Sequence, residues 1–243
     1  MTADISERVS VGLETATNRL SVAAARGGNT DPVEFTLEGA RRHAGALLPL
    51  LERALAALHA APADIGLVAL SDGPGSFTGL RVGAAVAKAL AAEGGAEVRT
   101  VPSLLVRATP HAAAGQRVLA LSDALRGEAF AGVWDFGADG RIDTVVPPSA
   151  VSLEQLRRFP PVQLAVGEAP VAMRAELQQR GLTLLGPAWP SAVTLLALCR
   201  RPGGERRVDP EGWEPDYGRP AEAQARWERS HGRPLPNPAG DAA

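Results

Sequence analysis

The chain has 243 residues, 45% of them hydrophobic and 21% charged, which is enough for one large core or two small ones. A formal net charge of -2 supplies no global field that would draw it onto nucleic acid or an anionic membrane. The single cysteine, Cys199, excludes an internal disulfide framework and suits a reducing compartment.

Met1 to Arg8 carries Asp4, Glu7 and Arg8 and no apolar block, unlike a signal peptide. The longest apolar stretch, Val82 to Ala92, is broken by Lys88 and is far short of the ~20 residues that span a bilayer. The expectation is a soluble, cytoplasmic protein. Val9 to Leu13 is a short apolar run that ends in Glu14-Thr15-Ala16-Thr17-Asn18. Leu20 to Ala25 follows, then a turn at Gly27-Gly28-Asn29 and the alternating run Val33 to Leu37, which together predict a three-strand meander. Leu47, Leu51, Leu55 and Leu58 form a helical stripe, so the spacing predicts a helix from Arg41 to Ala60, with Pro49 near its start. Ile65 to Leu70 is a buried-strand candidate. After it comes a glycine-rich loop and a helix that Ser76 or Thr78 caps, running to about Ala92 and ending at Gly94-Gly95. Val98 to Val101 reads as a strand and Ser103 to Ala114 as a helix.

The pattern then begins again. Val118 to Leu121 ends in Ser122-Asp123-Ala124, Glu128 to Asp135 is a second strand, and Ile142 to Val146 is a third after the turn Gly137-Ala138-Asp139-Gly140. Helices are expected at Leu153 to Arg158, Val171 to Arg180 and Ser191 to Arg200, with a strand at Leu164 to Val166. Strand, acidic turn, strand, turn, strand and helix thus occur twice, a repeat of pattern that implies two α/β lobes. The expected division is a first lobe over 1–110, a second over 111–200, a linker and docking segment over 201–230 and a disordered tail over 231–243. Arg201 to Pro210, with Pro202-Gly203-Gly204, reads as linker.

Gly73-Pro74-Gly75-Ser76-Phe77-Thr78-Gly79-Leu80-Arg81 carries the most information. It has the form strand, tight turn and helix start, whose free amides are a general anion-binding device. No Gly-Lys-Ser/Thr closes it as in a P-loop, the dinucleotide-loop spacing is missing, and Asp72 beside it would repel phosphate. It reads as a structural turn. Behind it Gly79, Gly83, Ala87 and Ala91 recur at spacing four and form a smooth face that serves either packing within the lobe or a subunit interface. Phe77, Gly79, Leu80, Gly83 and Ala87 are the candidate partner interface.

At these residues the chain resembles the TsaB (YeaZ) family. The resemblance covers the glycine loop and its continuation Val82-Gly83 to Ala91. Further matches are Glu14-Thr15-Ala16-Thr17, Arg42-His43 with Leu47-Leu48-Pro49, Asp123-Ala124 with Gly127-Glu128-Ala129-Phe130, and Pro215-Asp216-Tyr217-Gly218-Arg219. In order they span about Val9 to Trp227. The resemblance implies an actin/Hsp70-like (ASKHA) fold of two ribonuclease-H-like lobes. It also implies a pseudo-enzyme without cofactor that pairs with the catalytic subunit TsaD, is joined by the ATPase TsaE, and self-associates through first-lobe helices. Its task would be to support TsaD in making threonylcarbamoyladenosine in tRNA, with tRNA held only through the complex. The alternative is an active ATP-binding phosphotransferase or a metallopeptidase of the same superfamily.

Two departures stand out: Glu14 where the family has Asp, and Leu125 where Arg is common. Glu14 and Asp123 hold equivalent first-strand ends, where active members of the fold position metal and nucleotide. Here they read as vestigial positions whose side chains hydrogen-bond the turn backbone. His43, His59, His111 and His231 include no pair four apart, so no helical two-histidine metal motif exists and His43 reads as a polar helix-start residue. Cys199 reads as a core residue, and Ser76 lacks the nucleophile-elbow pattern. Arg81 either ties the loop down or meets a partner. Trp213, Tyr217, Arg219 and Trp227 either dock on the first lobe or reach TsaD.

Overall fold

The computed structural model describes residues 8–27, 31–39 and 43–218. Gly28, Asn29, Arg41, Arg42, Arg219, Trp227 and the tail over 231–243 lie outside the described residues. The first half contains β1 (Val9–Glu14), β2 (Arg19–Arg26), β3 (Val33–Glu38), α1 (His43–Ala57), β4 (Ile65–Ser71), α2 (Phe77–Gly94), β5 (Glu97–Val101) and α3 (Ser103–Ala108). The second contains β6 (Gln116–Asp123), β7 (Ala129–Phe136), β8 (Ile142–Val151), α4 (Leu153–Arg157), β9 (Leu164–Gly167), α5 (Val171–Gln179), β10 (Leu184–Leu185) and α6 (Ala192–Leu198). A last strand, β11 (Arg206–Val208), follows.

The two sheets repeat one topology. The first runs β11-β5-β4-β1-β2-β3 and the second β10-β9-β6-β7-β8. In each, the first strand pairs antiparallel with the second and parallel with the fourth, as β1 does with β2 and β4 and β6 does with β7 and β9. This is the duplicated ribonuclease-H-like arrangement of an actin/Hsp70-like α/β fold. Each sheet packs one face on its own helices, α1 and α2 or α4 and α5, and the other on a core that both halves share. Two-sided burial explains why β2 and β4 are largely apolar and why β1 sets only Ser10 and Gly12 between Val9, Val11 and Leu13, whereas burial alternates along the edge strand β3.

The third helix of each half crosses to the other sheet: α3 packs on β6, β7 and β9, and α6 on β1, β2 and β4. Leu104 and Leu105 of α3 and Leu195, Leu196 and Leu198 of α6 meet in the shared core beside Trp134. The start of α6 is tied down as the Ala192 amide donates to Ser21 Oγ at 2.8 Å, and the Ser21 hydroxyl donates to Glu34 at 2.6 Å. A Cβ on Gly12 would stand 2.6 Å from the Ala192 carbonyl oxygen, so glycine in β1 is what lets α6 lie against it.

Ser76 is the N-cap of α2, accepting from the Gly79 amide at 3.2 Å, and Gly95 closes the helix at φ 64°. Along the inner face of α2, a Cβ on Gly79 would sit 2.0 Å from the Thr15 carbonyl oxygen, and one on Gly83 2.6 Å from Thr15 Oγ1. Gly79, Leu80, Gly83 and Ala87 are all buried inside the lobe. Gly79 and Gly83 make their close contact with the chain's own β1–β2 turn, and Leu80 and Ala87 are buried in the lobe, which counts against a partner interface through these four residues. Only Phe77 of the five is exposed, at 56%.

The stretch expected as a linker contains β11. Arg206, Arg207 and Val208 pair antiparallel with Thr100, Arg99 and Val98, closing the free edge of β5. Arg206 adds an ion pair to Asp72 at 3.3 Å, and Trp213, 7% exposed, plugs the first-lobe core. Among the described residues no helix is long and apolar enough to cross a membrane.

Two substitutions test this packing by urea unfolding. Gly83→Ala is expected to lose about 1–3 kcal/mol through overpacking against Thr15 and Leu70. Trp213→Ala is expected to lose about 3 kcal/mol, reporting that the C-terminal segment belongs to the folded unit.

Candidate functional site

The two acidic turns, β1–β2 and β6–β7, face each other across an open cleft of about 830 Å³ between the lobes. Ala16, Thr17, Asn18, Gly75 and Ser76 contribute from the first half, Asp123 and Leu125 from the second, and Arg107 of α3 lies between them. The glycine loop is held from three sides. The Ser76 amide donates to the Ala16 carbonyl at 2.7 Å, the Ser103 amide to the Gly73 carbonyl at 2.8 Å, and the Asp216 amide to the Asp72 carbonyl at 2.7 Å. The Ser103 hydroxyl also donates to the Pro74 carbonyl. Gly73, at φ 111°, lies in the left-handed region, and a Cβ there would fall on the Asp216 carbonyl oxygen. The amides of Ser76 and Gly79, which a phosphate cradle would present, are spent inside the chain. Thr78 is exposed on the first turn of α2 and is not its cap. Phe77 packs on Tyr217 with ring centroids 4.8 Å apart, and the Arg81 guanidinium stands 5.1 Å from the Phe77 ring centroid.

Glu14 and Asp123 differ sharply. Both accept a hydrogen bond from the amide two residues on, Glu14 from Ala16 at 2.8 Å and Asp123 from Leu125 at 2.7 Å. Asp123 is exposed, but Glu14 has no accessible surface. Burial pushes the Glu14 carboxyl up to about 7, against the pull of the Ala16 amide, the Ser71 hydroxyl and the Arg107 guanidinium. Near neutral pH much of it carries a proton. In the second turn, Leu125 at φ 64° and Arg126 at φ 55° hold left-handed backbone without being glycine, a local cost of roughly 1–2 kcal/mol each.

The remaining candidates are structural. His43 begins α1 and is buried, which lowers its pKa, with the Thr17 main chain opposing. Among the described residues no three His, Cys, Asp or Glu side chains are grouped to hold a metal ion. Cys199 is buried in the shared core, where burial pushes its thiol up to about 12. Asp72 is buried, which raises its pKa, while Arg206 on β11 pulls the other way. Sequence reasoning missed Arg107, Phe130, Glu168 and Trp189 as cleft residues. A usable signal for Arg107 existed: it is the one charge in the otherwise apolar run Leu104-Leu105-Val106-Arg107-Ala108.

The Glu14 environment makes a pH-dependent prediction. A carboxyl raised from 4.5 to about 7 stabilises the fold fully below the unfolded value and loses that contribution as pH rises through 7. Glu14→Gln keeps an acceptor for the Ala16 amide and removes the titration. Its stability relative to the parent chain is expected to rise by about 3 kcal/mol between pH 4 and pH 8, read by urea unfolding at each pH.

A family model described as "TsaD: tRNA N6-adenosine threonylcarbamoyltransferase" matches residues 37–179, more than half of the chain. The tRNA threonylcarbamoyladenosine biosynthesis protein TsaB of Bacillus subtilis (strain 168) is 27% identical over 229 residues, covering 89% of this chain and 96% of that protein. The protein of the same name from Escherichia coli (strain K12) is 33% identical over 124 residues, 49% of this chain and 52% of that protein. Two solved structures from Pseudomonas aeruginosa share the fold. One, described as an uncharacterized protein with similarity to peptidase YeaZ, has TM-score 0.72 at 24% identity over 87% of this chain and 100% of its own. The other, YeaZ, has TM-score 0.64 at 23% identity over 86% and 99%. The chain belongs to the family that this TsaD model describes, and its similarities within that family are to the proteins named TsaB and YeaZ.

Proposed function

We propose that the chain takes part in making N6-threonylcarbamoyladenosine in tRNA as a non-catalytic subunit that pairs with TsaD. The observation that supports this most is the sealed position of Glu14. A carboxyl with no accessible surface and a pKa of about 7 is poorly placed and poorly charged to hold a metal–nucleotide complex in the cleft. The ATPase TsaE would join a larger complex, tRNA would be met only through it, and the setting would be the cytoplasm.

The outward side of α1 and α2 supports a pairing role. Leu48, 51% exposed, Pro62 and Ala63 of the short turn after α1, and Ala85, Val86, Ala89 and Leu90 of α2 line an apolar groove of about 570 Å³. An exposed leucine beside the half-buried Val86 and Leu90 and small alanines suits an interhelical interface. This groove replaces the inner α2 face as the proposed contact with TsaD, and with a second copy of the chain when TsaD is absent.

Two measurements test the reading. Ala89→Arg places a charge in the groove and is expected to weaken co-purification with TsaD by about tenfold or more, with the circular dichroism spectrum unchanged. Isothermal titration of the purified chain with ATP and magnesium is expected to give no micromolar binding and no turnover. Micromolar binding with turnover in the absence of TsaD would overturn the subunit reading, and unchanged pairing by Ala89→Arg would overturn the groove.

A further inference from the structure

We propose that the interlobe cleft binds a small monocarboxylate with an aromatic or apolar body, whose carboxylate is held by Arg107. The Arg107 side chain is 3% exposed, yet among the described residues it has no ion pair within hydrogen-bonding reach and its Nη1 has no hydrogen-bond partner. An unpaired buried cation is costly, and a fold that keeps one has a use for it when a counter-charge arrives. Two carboxyls act on it from a distance without forming an ion pair: Glu168 across the cleft lining, and Glu14 on its first-lobe side, which burial leaves only about half ionised near pH 7.

The surroundings make room for the guanidinium. Leu104, Leu105, Val106 and Ala108 of α3 are packed in the shared core, so the helix is held by its apolar residues and not by this arginine. At Gly167, φ 115°, a Cβ would stand 3.0 Å from Arg107 Cδ and 3.1 Å from Nη1. The Leu121 carbonyl oxygen stands closer still, so the backbone and the arginine together require glycine there.

The walls give the chemistry of the rest of the ligand. In a chain with only 4% aromatic residues, Phe77, Phe130, Trp189 and Tyr217 all line this one cleft. Such walls stack or enclose a planar or apolar group, and the volume falls in the range of small-molecule sites. Charge sets the number of negative groups. Arg107 faces the carboxylates of Asp123 and Glu168 across the cleft lining, so a second or third phosphate would meet like charge. One guanidinium opposite one carboxylate is the matched pair.

The test uses the full chain and three probes in isothermal titration: N-acetyl-L-tryptophan, its neutral amide, and ADP with magnesium. The acid is expected to bind saturably in the range of a millimolar or tighter, the amide about tenfold or more weakly, and ADP no more tightly than the amide. Arg107→Met is expected to reduce binding of the acid about tenfold or more, with a melting temperature equal to or above that of the parent because an unpaired charge is removed. Phe77→Ala, at an exposed ring, is expected to weaken acid and amide alike, and it keeps the aromatic wall testable should Arg107→Met fail to fold. Equal binding of acid and amide, no saturation up to ~10 mM, or tighter binding of ADP than of the acid would overturn the proposal.

Discussion

The approach of α2 to the turn at Thr15 and Ala16 is the constraint from which much of the first lobe follows. Gly75, Gly79 and Gly83 each stand where a methyl group would collide with that turn, at 2.4, 2.0 and 2.6 Å from its nearest atom. The helix therefore lies directly on backbone, the Ser76 amide reaches the Ala16 carbonyl, and Glu14 loses all contact with solvent. This packing sets the glycine loop, takes up the Ser76 amide and accompanies the raised pKa of the buried Glu14 carboxyl.

The second organising feature is the exchange of α3 and α6 between the halves. Each sheet finishes its inner face with a helix from the other repeat, so the lobes share a core and the cleft between their acidic turns has a floor. That floor is where Arg107 lands. The C-terminal stretch works in the same direction: β11 covers the edge of β5, Trp213 enters the first-lobe core, and Tyr217 stacks on Phe77 at the cleft wall. Exposed surface on the first lobe is then left on the outward side of α1 and α2, where the apolar groove lies.

Much of this was legible in the chain. The strands β1, β2, β4 and β6 are apolar runs that end in turn residues, and α2 carries a serine at its start and glycines at its end, so local chemistry marked them. The strand β11 was not legible, since Arg206-Arg207-Val208 has no apolar pattern and becomes a strand only because β5 offers unpaired backbone groups. The small-residue stripe on α2 was visible as a place of close approach, but the same spacing serves an internal or an external contact. Burial alone assigned Gly79, Leu80, Gly83 and Ala87 to the inside.

The sequence by itself determined the element order, the twofold repeat and the family resemblance, because periodicity, caps and a glycine loop are local properties of neighbouring residues. Only the tertiary structure decided which face of α2 is free, that Glu14 is sealed while its counterpart Asp123 is not, and that Arg107 stands unpaired among aromatic walls. Those outcomes depend on segments far apart in the chain arriving at one place. Burial and pairing are properties of that meeting, and no single stretch of residues carries them.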